Sequence, residues 1–234
     1  MEYFTVFLLT VLMFSCDKKN SGEIVVDERD QTESVIEIIK IDSVWSGHPV
    51  RFSLYTHDES QYIAYYNTNR NMIVGQRKLT DKNFVLHQMF APTRALGQKD
   101  KSKRFSATEV GWDSHNSITM AVDKEGFIHL SGNMHVDSLT YFRSELSGDI
   151  STLMQHFPLV GSNEKKSTYP KFMLSKEQEL IFHYRDGSSG NGNEIYNTYD
   201  TQKKKWSRML DVPLTDGQGL MNAYQSQPEV REDG

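Results

Sequence analysis

The segment GWDSHNSITMAVDKEGFIHLSGNMHVDSLTYFR, residues 111–143, decides the fold class. Short runs of Ile, Val, Phe and Tyr alternate there with polar clusters, a pattern typical of antiparallel strands joined by tight turns. The turn at Lys124 and Glu125 lies at the centre of the first hairpin. Paired residues lie symmetrically about that centre, so His115 is expected opposite His135, with Cβ atoms roughly 4.5–5.5 Å apart. The segment therefore predicts two imidazoles that converge at the open end of a β-hairpin.

The same unit recurs along the chain. Two further hairpins are expected, with turns at 57–60 and 175–179, and each of the three hairpins is followed by another strand-like run. Helical periodicity is almost absent, and only 35–41 is ambiguous. Three or four antiparallel strands that recur every ~50–70 residues are typical of β-propeller blades, whereas a sandwich or jelly roll would need no repeat. The sequence predicts an all-β chain in which residues 34–234 form a partial β-propeller.

The number of blades indicates a longer protein. Three units are visible, and residues 213–230 look like the start of a fourth. A propeller needs roughly four to eight blades to close its ring. We therefore expect this chain to hold the N-terminal three to four blades of a propeller that continues beyond residue 234.

Composition limits the classes of partner. The net charge is −5, from 26 basic and 31 acidic residues, and the basic residues form no long run beyond the lysine triplet at 203–205. Nucleic acid is therefore a poor candidate for the partner. A pocket on an acidic protein can still be basic, so an anionic substrate is compatible with this composition.

The first sixteen residues, MEYFTVFLLTVLMFSC, predict an export signal. Their apolar run is too short for a membrane-spanning helix and fits the apolar region of a signal peptide. Cys16 is the single cysteine, which excludes a disulfide framework, and its setting resembles a bacterial lipobox. Glu2 stands where a basic residue is usual, so a buried N-terminal element is the alternative. We expect a signal at 1–16, a flexible tether at 17–33, and an exported lipoprotein anchored to the membrane through Cys16.

The hairpin registers gather further polar residues at one end of the blades. In the third hairpin, the register places Tyr169 opposite Arg185. In the first hairpin, it places His48 opposite Asn69. Equivalent ends of successive blades lie on the same face of a propeller. We therefore expect Tyr169, Arg185 and His48 to share one cleft with His115 and His135.

Most histidines beside strands have an ordinary role, at the surface or in a structural hydrogen bond. We expect that role for five of them: His57, His87, His129, His156 and His183. Paired imidazoles also suit zinc or copper. The sequence shows no third His, Cys or carboxylate at ligand spacing beside His115 and His135, so a metal site is not indicated there.

The motifs at these positions resemble a known family. GWDSHNSITMAVDKEGFIHLSGNMH, LTYFRS, TYPKF and FHYRDGSSGNG are similar to the BNR-repeat-containing propeller family that includes ulvan lyases, over residues 44–224. The resemblance implies a seven-bladed propeller and a polysaccharide lyase that cleaves a uronate-containing anionic polysaccharide by β-elimination. Rhamnosidases that act on rhamnose–glucuronate linkages have related propellers, although the nearby carboxylates Asp113 and Asp137 are weak candidates for a hydrolase pair. A non-catalytic carbohydrate-binding propeller fragment is the third alternative.

The resemblance also implies roles for individual residues. His115 and Tyr169 would transfer protons, and Arg185 would neutralise the uronate carboxylate. His135 would fix the tautomer of His115, bind substrate or raise the local positive potential, and Tyr224 would contact a sugar ring. Apart from the resemblance, Asn116, Asn133 and His48 are further candidates for substrate binding, although the two asparagines are hard to distinguish from turn residues. No organic cofactor is implied, and the family is compatible with a structural calcium or zinc ion whose ligands the sequence does not identify.

Overall fold

A computed structural model describes residues 35–47, 49–91, 106–222 and 224. The chain divides into two units, Met1–Ile38 and Ile39–Gly234, and every described strand belongs to the second unit. The strands, numbered in chain order, are β1 (Ser53–His57), β2 (Ser60–Tyr66), β3 (Met72–Lys78), β4 (Val85–Gln88), β5 (Ile118–Val122), β6 (Ile128–Gly132), β7 (His135–Asp137), β8 (Tyr141–Ser144), β9 (Leu153–Gln155), β10 (Ser167–Leu174), β11 (Leu180–Asp186), β12 (Asn193–Asp200) and β13 (Lys205–Arg208).

Helical structure in the described part of the chain is limited to one 3-10 turn, Ile150–Thr152. Asp149 caps this turn by accepting a hydrogen bond from the Ser151 backbone N–H. None of the described helical structure has the length and apolar character needed to cross a membrane. The expectation of an all-β chain is confirmed.

The strands form three antiparallel sheets that follow the chain. Blade 1 has the order β1-β2-β3-β4, blade 2 has β5-β6-β8-β9, and blade 3 has β13-β12-β11-β10 with β7 added beside β10. A meander of four antiparallel strands is the unit from which β-propellers are built. The predicted partial propeller is confirmed, with three blades and no closed ring among the described residues.

The hairpin turns set the registers that the sequence predicted. In blade 2, the Asp123 carboxylate accepts hydrogen bonds from the backbone N–H groups of Glu125 and Phe127, at 3.0 and 2.9 Å. This side-chain turn closes the β5–β6 hairpin. Its rungs run from Val122 opposite Ile128 to Ile118 opposite Gly132, which is the register expected from a centre at residue 125.

Period-two alternation places blade 2 between two cores. Met120 on β5 and Phe142 on β8 belong to a cluster shared with blade 1, whereas their neighbours Ala121 and Tyr141 belong to a cluster shared with blade 3. Successive side chains of a strand point to opposite faces of its sheet, so a strand that is apolar at consecutive positions is buried on both faces. The adjacent apolar residues of β5 and the Tyr141–Phe142 pair of β8 therefore follow from the stacking of three blades.

The region expected to begin a fourth blade forms no strand among residues 213–222. It contacts blade 3 through an isolated bridge between Thr215 and Glu194 and through hydrogen bonds that include the one from Arg185 to Asn222. Residues 225–230 lie outside the described residues, so the fourth hairpin stays a prediction. The signal and tether expected at 1–33, including Cys16, lie outside them as well.

Candidate active site

His115 stands on a turn immediately before β5. The Asp113 carboxylate accepts a hydrogen bond from the His115 backbone N–H at 2.9 Å. The next residue, Asn116, is tied to blade 1 because its carbonyl oxygen accepts a hydrogen bond from the Tyr66 hydroxyl at 2.9 Å. The turn and this cross-blade bond orient the His115 side chain at the end of the sheet.

His135 reaches the same place by a different route from the one predicted. It lies on β7, which pairs with β10 of blade 3, and its ladder partner is Thr168. The expected rung between His115 and His135 is wrong, because the β5–β6 ladder ends at Ile118 and Gly132 and the chain then crosses to the neighbouring blade. The convergence itself is present: the two imidazoles are stacked, with centroids 3.9 Å apart and planes 17° apart.

The Asp113 carboxylate bridges the two rings. Its Oδ1 lies 2.6 Å from Nδ1 of His115, and its Oδ2 hydrogen-bonds Nδ1 of His135. Partial burial would raise the pKa of Asp113, but the hydrogen bonds from the His115 backbone and from both imidazoles outweigh burial and lower that pKa to about 2. The carboxylate is therefore ionised at any ordinary working pH.

This cluster corrects the expectation that no third ligand-type group accompanies the histidine pair. Ligand atoms of Asp113, His115 and His135 all lie within 4.8 Å of one another. Two ligands of one tetrahedral zinc, each about 2.0–2.1 Å from the metal, would be roughly 3.3 Å apart. The 2.6 Å contact between Asp113 and His115 fits a shared proton better than a shared cation. The expectation of a structural calcium or zinc elsewhere stays a prediction.

Tyr169 enters the cleft from a β-bulge. The predicted pairing of Tyr169 with Arg185 is wrong: Arg185 faces Thr168, and the register shifts between Thr168 and Lys171. Tyr169 has φ +56°, unusual for a bulky residue, and the following Pro170 has no N–H to donate to the ladder. A bulge re-aims a side chain. Here it leaves the Tyr169 ring 38% exposed and 5.6 Å from the His115 ring, centroid to centroid.

The Tyr224 ring lies between Tyr169 and Arg185. The Tyr169 and Tyr224 centroids are 6.4 Å apart, and the Arg185 guanidinium carbon lies 4.9 Å from the Tyr224 centroid. Burial raises the pKa of the Tyr169 phenol, and the nearby Tyr224 adds to the rise, although the charge of Arg185 opposes it. Tyr169 is therefore a protonated phenol at neutral pH.

Arg185 is more buried than a simple substrate-binding role would require, at 3% exposure. Its guanidinium donates to the carbonyl oxygens of Gly187 and Ser188, at 3.1 and 2.6 Å, and to the Asn222 side chain. A Cβ at Gly192 would lie 2.2 Å from the guanidinium carbon, so only a glycine leaves room for the Arg185 side chain at this position. Nε has no hydrogen-bond partner among the described residues.

The predicted asparagines are both buried. The Asn133 amide nitrogen donates to the carbonyl oxygens of Ser106, Ala107 and Glu109, so its side chain holds the segment that precedes the His115 turn. This structural role leaves Asn133 out of the proposed substrate contacts. Asn116 Oδ1 has no hydrogen-bond partner in the described part of the chain. His48 lies outside the described residues.

Four of the five histidines expected to have ordinary roles make polar contacts with other side chains. His129 contacts Tyr141 and Asp123, His183 hydrogen-bonds Glu194, and the more exposed His156 and His57 pair with Glu145 and Asp58. His87 lies on β4 and is half-buried.

Two features of the site escaped the sequence argument. Trp112, beside Asp113, is 67% exposed and packs edge-on against Trp45, with ring centroids 5.2 Å apart. Asp113 is the second feature, because its bridging contact depends on β7 crossing to blade 3. In the sequence, Trp112 and Asp113 are marked only by their position next to His115 in the motif WDSH. That motif does not distinguish a surface turn from a functional site.

Comparison with known proteins agrees with this architecture. A family model described as "BNR repeat-containing family member" matches residues 60–234. The "Ulvan lyase, short isoform" of Alteromonas sp. (strain LOR) is 28% identical, over 48% of this chain and 29% of that protein. The "Ulvan lyase, long isoform" of Glaciecola sp. (strain KUL10) is 23% identical, over 62% of this chain and 18% of that protein. The chain therefore spans less than a third of these curated relatives.

Solved structures support the fold. The crystal structure of the polysaccharide lyase Uly1 matches with a TM-score of 0.55 at 18% identity, covering 76% of this chain and 45% of that one. An ulvan lyase structure described as bound to -[GlcA(1-4)Rha3S]- matches with a TM-score of 0.50 at 16% identity, covering 76% of this chain and 39% of that one. The molecule is thus an all-β protein built from propeller blades with a polar cleft at one end of them. It belongs to the BNR repeat-containing family, as its motifs indicated.

Proposed function

We propose that this protein is a polysaccharide lyase that cleaves an anionic, uronate-containing polysaccharide of the ulvan type by β-elimination. The observation that carries the proposal is the placement of an imidazole and a protonated phenol 5.6 Å apart, ring centre to ring centre, beside a buried guanidinium. The relatives named ulvan lyase, and the neighbour described with a bound glucuronate–rhamnose sulfate, support the choice of substrate.

The reaction needs a base and an acid. A lyase removes the proton at C5 of the uronate and expels the oxygen at C4, which leaves a double bond between C4 and C5. In the proposed mechanism, Nε2 of His115 accepts the C5 proton, since Nδ1 is engaged by Asp113. Tyr169 donates a proton to the departing O4, because its raised pKa keeps the phenol protonated.

The intermediate carries extra negative charge on the carboxylate, so a fixed positive charge lowers the barrier. Arg185 supplies that charge in the proposal. Its N–H groups already donate hydrogen bonds to the carbonyl oxygens of residues 187 and 188 and to Asn222. Direct bidentate contact with a carboxylate would require some of these hydrogen bonds to break. Without that movement, Arg185 acts through its field and by supporting the Tyr224 ring.

Trp112 is the proposed wall of the sugar groove. The indole lies exposed three residues before His115 and is braced by Trp45. An aromatic face with one exposed side suits the apolar face of a sugar ring. The substrate class in this proposal is therefore a chain that combines acidic sugars with sugars of apolar character, as rhamnose has.

The test is the ultraviolet absorbance of the unsaturated uronate on incubation with ulvan. We expect absorbance to grow with the wild type, and His115→Ala and Tyr169→Phe to reduce the rate by roughly 1,000-fold, within the range that loss of a catalytic acid or base removes. Thermal melts should show that both variants remain folded. Normal absorbance growth from His115→Ala would falsify the assignment of the base.

The same assay separates the alternatives. New reducing ends without ultraviolet absorbance would indicate a hydrolase instead of a lyase. Binding of ulvan without new ends would indicate a carbohydrate-binding protein. Anchoring through acylated Cys16 is a separate proposal that rests on the sequence, and labelling with a radioactive fatty acid in wild type and Cys16→Ser tests it.

A further inference from the structure

The Asp113 carboxylate makes one contact to each of two imidazoles that come from different segments of the chain. His115 follows it by two residues on the same turn, whereas His135 is brought back by β7, which pairs with blade 3. Each carboxylate oxygen faces a different Nδ1. This arrangement gives Asp113 a function that neither histidine could supply for the other.

An ionised carboxylate only accepts hydrogen bonds. Both Nδ1 atoms must therefore carry a hydrogen, and in a neutral imidazole the lone pair is then on Nε2. Among the described residues, Nε2 of neither ring has a hydrogen-bond partner, and both side chains are more than a third exposed. The unprotonated nitrogens are thus the ones left for substrate.

The stacking of the rings adds a second constraint. With centroids 3.9 Å apart, two imidazolium charges would repel each other strongly, and the single negative charge of Asp113 balances only one of them. The three groups together can hold one extra proton without a net positive charge. A proton taken by His115 from the substrate would therefore be stabilised by the carboxylate that His135 shares.

We propose that Asp113 is the positioning residue of the site, which holds His115 and His135 as one unit with both Nδ1 atoms protonated and both Nε2 atoms directed away from it. The proposal rests on the proposed function only for its kinetic consequence. Its structural content, the tautomer of the two rings, can be tested without substrate.

The informative substitution is Asp113→Asn. An asparagine side chain has nearly the shape of aspartate but offers one acceptor and one donor. It can accept from one Nδ1–H, but it must donate to the other Nδ1, which forces that ring into the opposite tautomer. The amide oxygen should take the place of Oδ1, which also accepts the His115 backbone N–H, so the amide donates to Nδ1 of His135 and that ring changes tautomer. His115 keeps its tautomer but loses the negative charge that stabilises its protonated form.

The first measurement is nitrogen-15 NMR of the imidazoles in the substrate-free protein near neutral pH. In the wild type we expect both His115 and His135 with hydrogen on Nδ1, with assignments from single His→Ala variants. In Asp113→Asn we expect one of the two rings to change tautomer. A wild-type spectrum with hydrogen on Nε2 of either ring, or no change in the variant, would overturn the proposal whether or not the protein cleaves ulvan.

The second measurement is steady-state kinetics. In Asp113→Asn we expect kcat to fall by roughly 100-fold, which is less than the ~10,000-fold loss seen when the same change leaves a catalytic imidazole in the wrong tautomer. KM should change by less than about threefold, because the variant removes no contact with the ground-state substrate. A rise in KM with unchanged kcat would assign Asp113 to substrate binding and contradict a positioning role.

Asp149→Asn is the matched control. Asp149 is also half-buried and also accepts the backbone N–H two residues ahead, at 2.9 Å, but it hydrogen-bonds no imidazole of the described histidines. We expect it to leave the kinetics and the His115 and His135 signals unchanged. Equal kinetic losses in both variants would show that the turn, not the carboxylate charge, matters, and the proposal would fail.

Discussion

Two clusters of aspartate and histidine, one between blades 2 and 3 and one within blade 2, differ mainly in burial. Asp113, with the imidazoles of His115 and His135, lies at the cleft, where each side chain is about a third exposed or more. Asp123 and His129 lie in the core, where their side chains are 1% and 0% exposed. The chemical groups are alike, but the clusters leave different atoms available.

In the core cluster, both ring nitrogens are engaged. His129 Nδ1 lies 2.7 Å from the Tyr141 hydroxyl, and Nε2 lies 3.2 Å from Asp123 Oδ2. Burial lowers the pKa of His129, and the hydrogen bond that its ring donates to Asp123 offsets this only in part, so the ring stays neutral. At the cleft, by contrast, the carboxylate engages one nitrogen of each ring. An imidazole held at both nitrogens stabilises the fold, whereas one held at a single nitrogen can still transfer a proton.

The largest difference is expected in stability. Asp123→Ala should lower the free energy of unfolding by about 3 kcal/mol, because it leaves a buried imidazole N–H and the backbone N–H groups of the β5–β6 turn without their acceptor. Asp113→Ala should cost less than about 1 kcal/mol, as expected for a partly exposed ion pair. Urea unfolding followed by circular dichroism measures both. Similar losses would show that the cleft cluster is also a structural one.

A smaller effect is expected at the wall of the groove. Trp112→Ala should raise KM for ulvan about fivefold with kcat little changed, which corresponds to ~1 kcal/mol of lost stacking. The chain has three tryptophans, of which Trp206 is buried, Trp45 is partly buried and Trp112 is exposed, so quenching of wild-type fluorescence by oligosaccharide should come mainly from Trp112. Leu146→Ala, another exposed apolar side chain, is the control. Unchanged KM and undiminished quenching in Trp112→Ala would exclude a role for Trp112 as the wall of the sugar groove.

The smallest effect should appear on acidification. The folded pKa of His129 is below its ordinary 6.5 and that of Asp113, about 2, is below its ordinary 3.8, so in both cases the unfolded chain binds more protons. Stability should therefore fall in two windows, first as pH drops below about 6.5 and again between about 4 and 2. Asp113→Asn should flatten the second window only. Melting temperatures across pH measure this, and a variant that loses the first window instead would contradict the assignment.

Much of this fold could be predicted from local patterns. The hairpin turns, the β5–β6 register and the grouping of strands in blade-like units follow from turn residues and period-two alternation. The register of blade 3 was correct only as far as Lys171, since the bulge at Tyr169 shifts the last rungs. Pro170 indicates an interruption of the strand at that position. It does not predict which neighbouring side chain points out of the sheet.

The chain's order of residues determined the strands, their turns and the family motifs, because each of those depends on neighbours a few positions apart. Only the tertiary structure decided that Asp113 lies between two imidazoles, that Arg185 is sealed beneath Gly192 and Tyr224, and that Trp112 stays exposed. Those contacts join segments from different strands and loops. They depend on how the sheets stack and on the crossing of β7 to blade 3. The pattern of side chains within one segment determines neither the stacking nor the crossing.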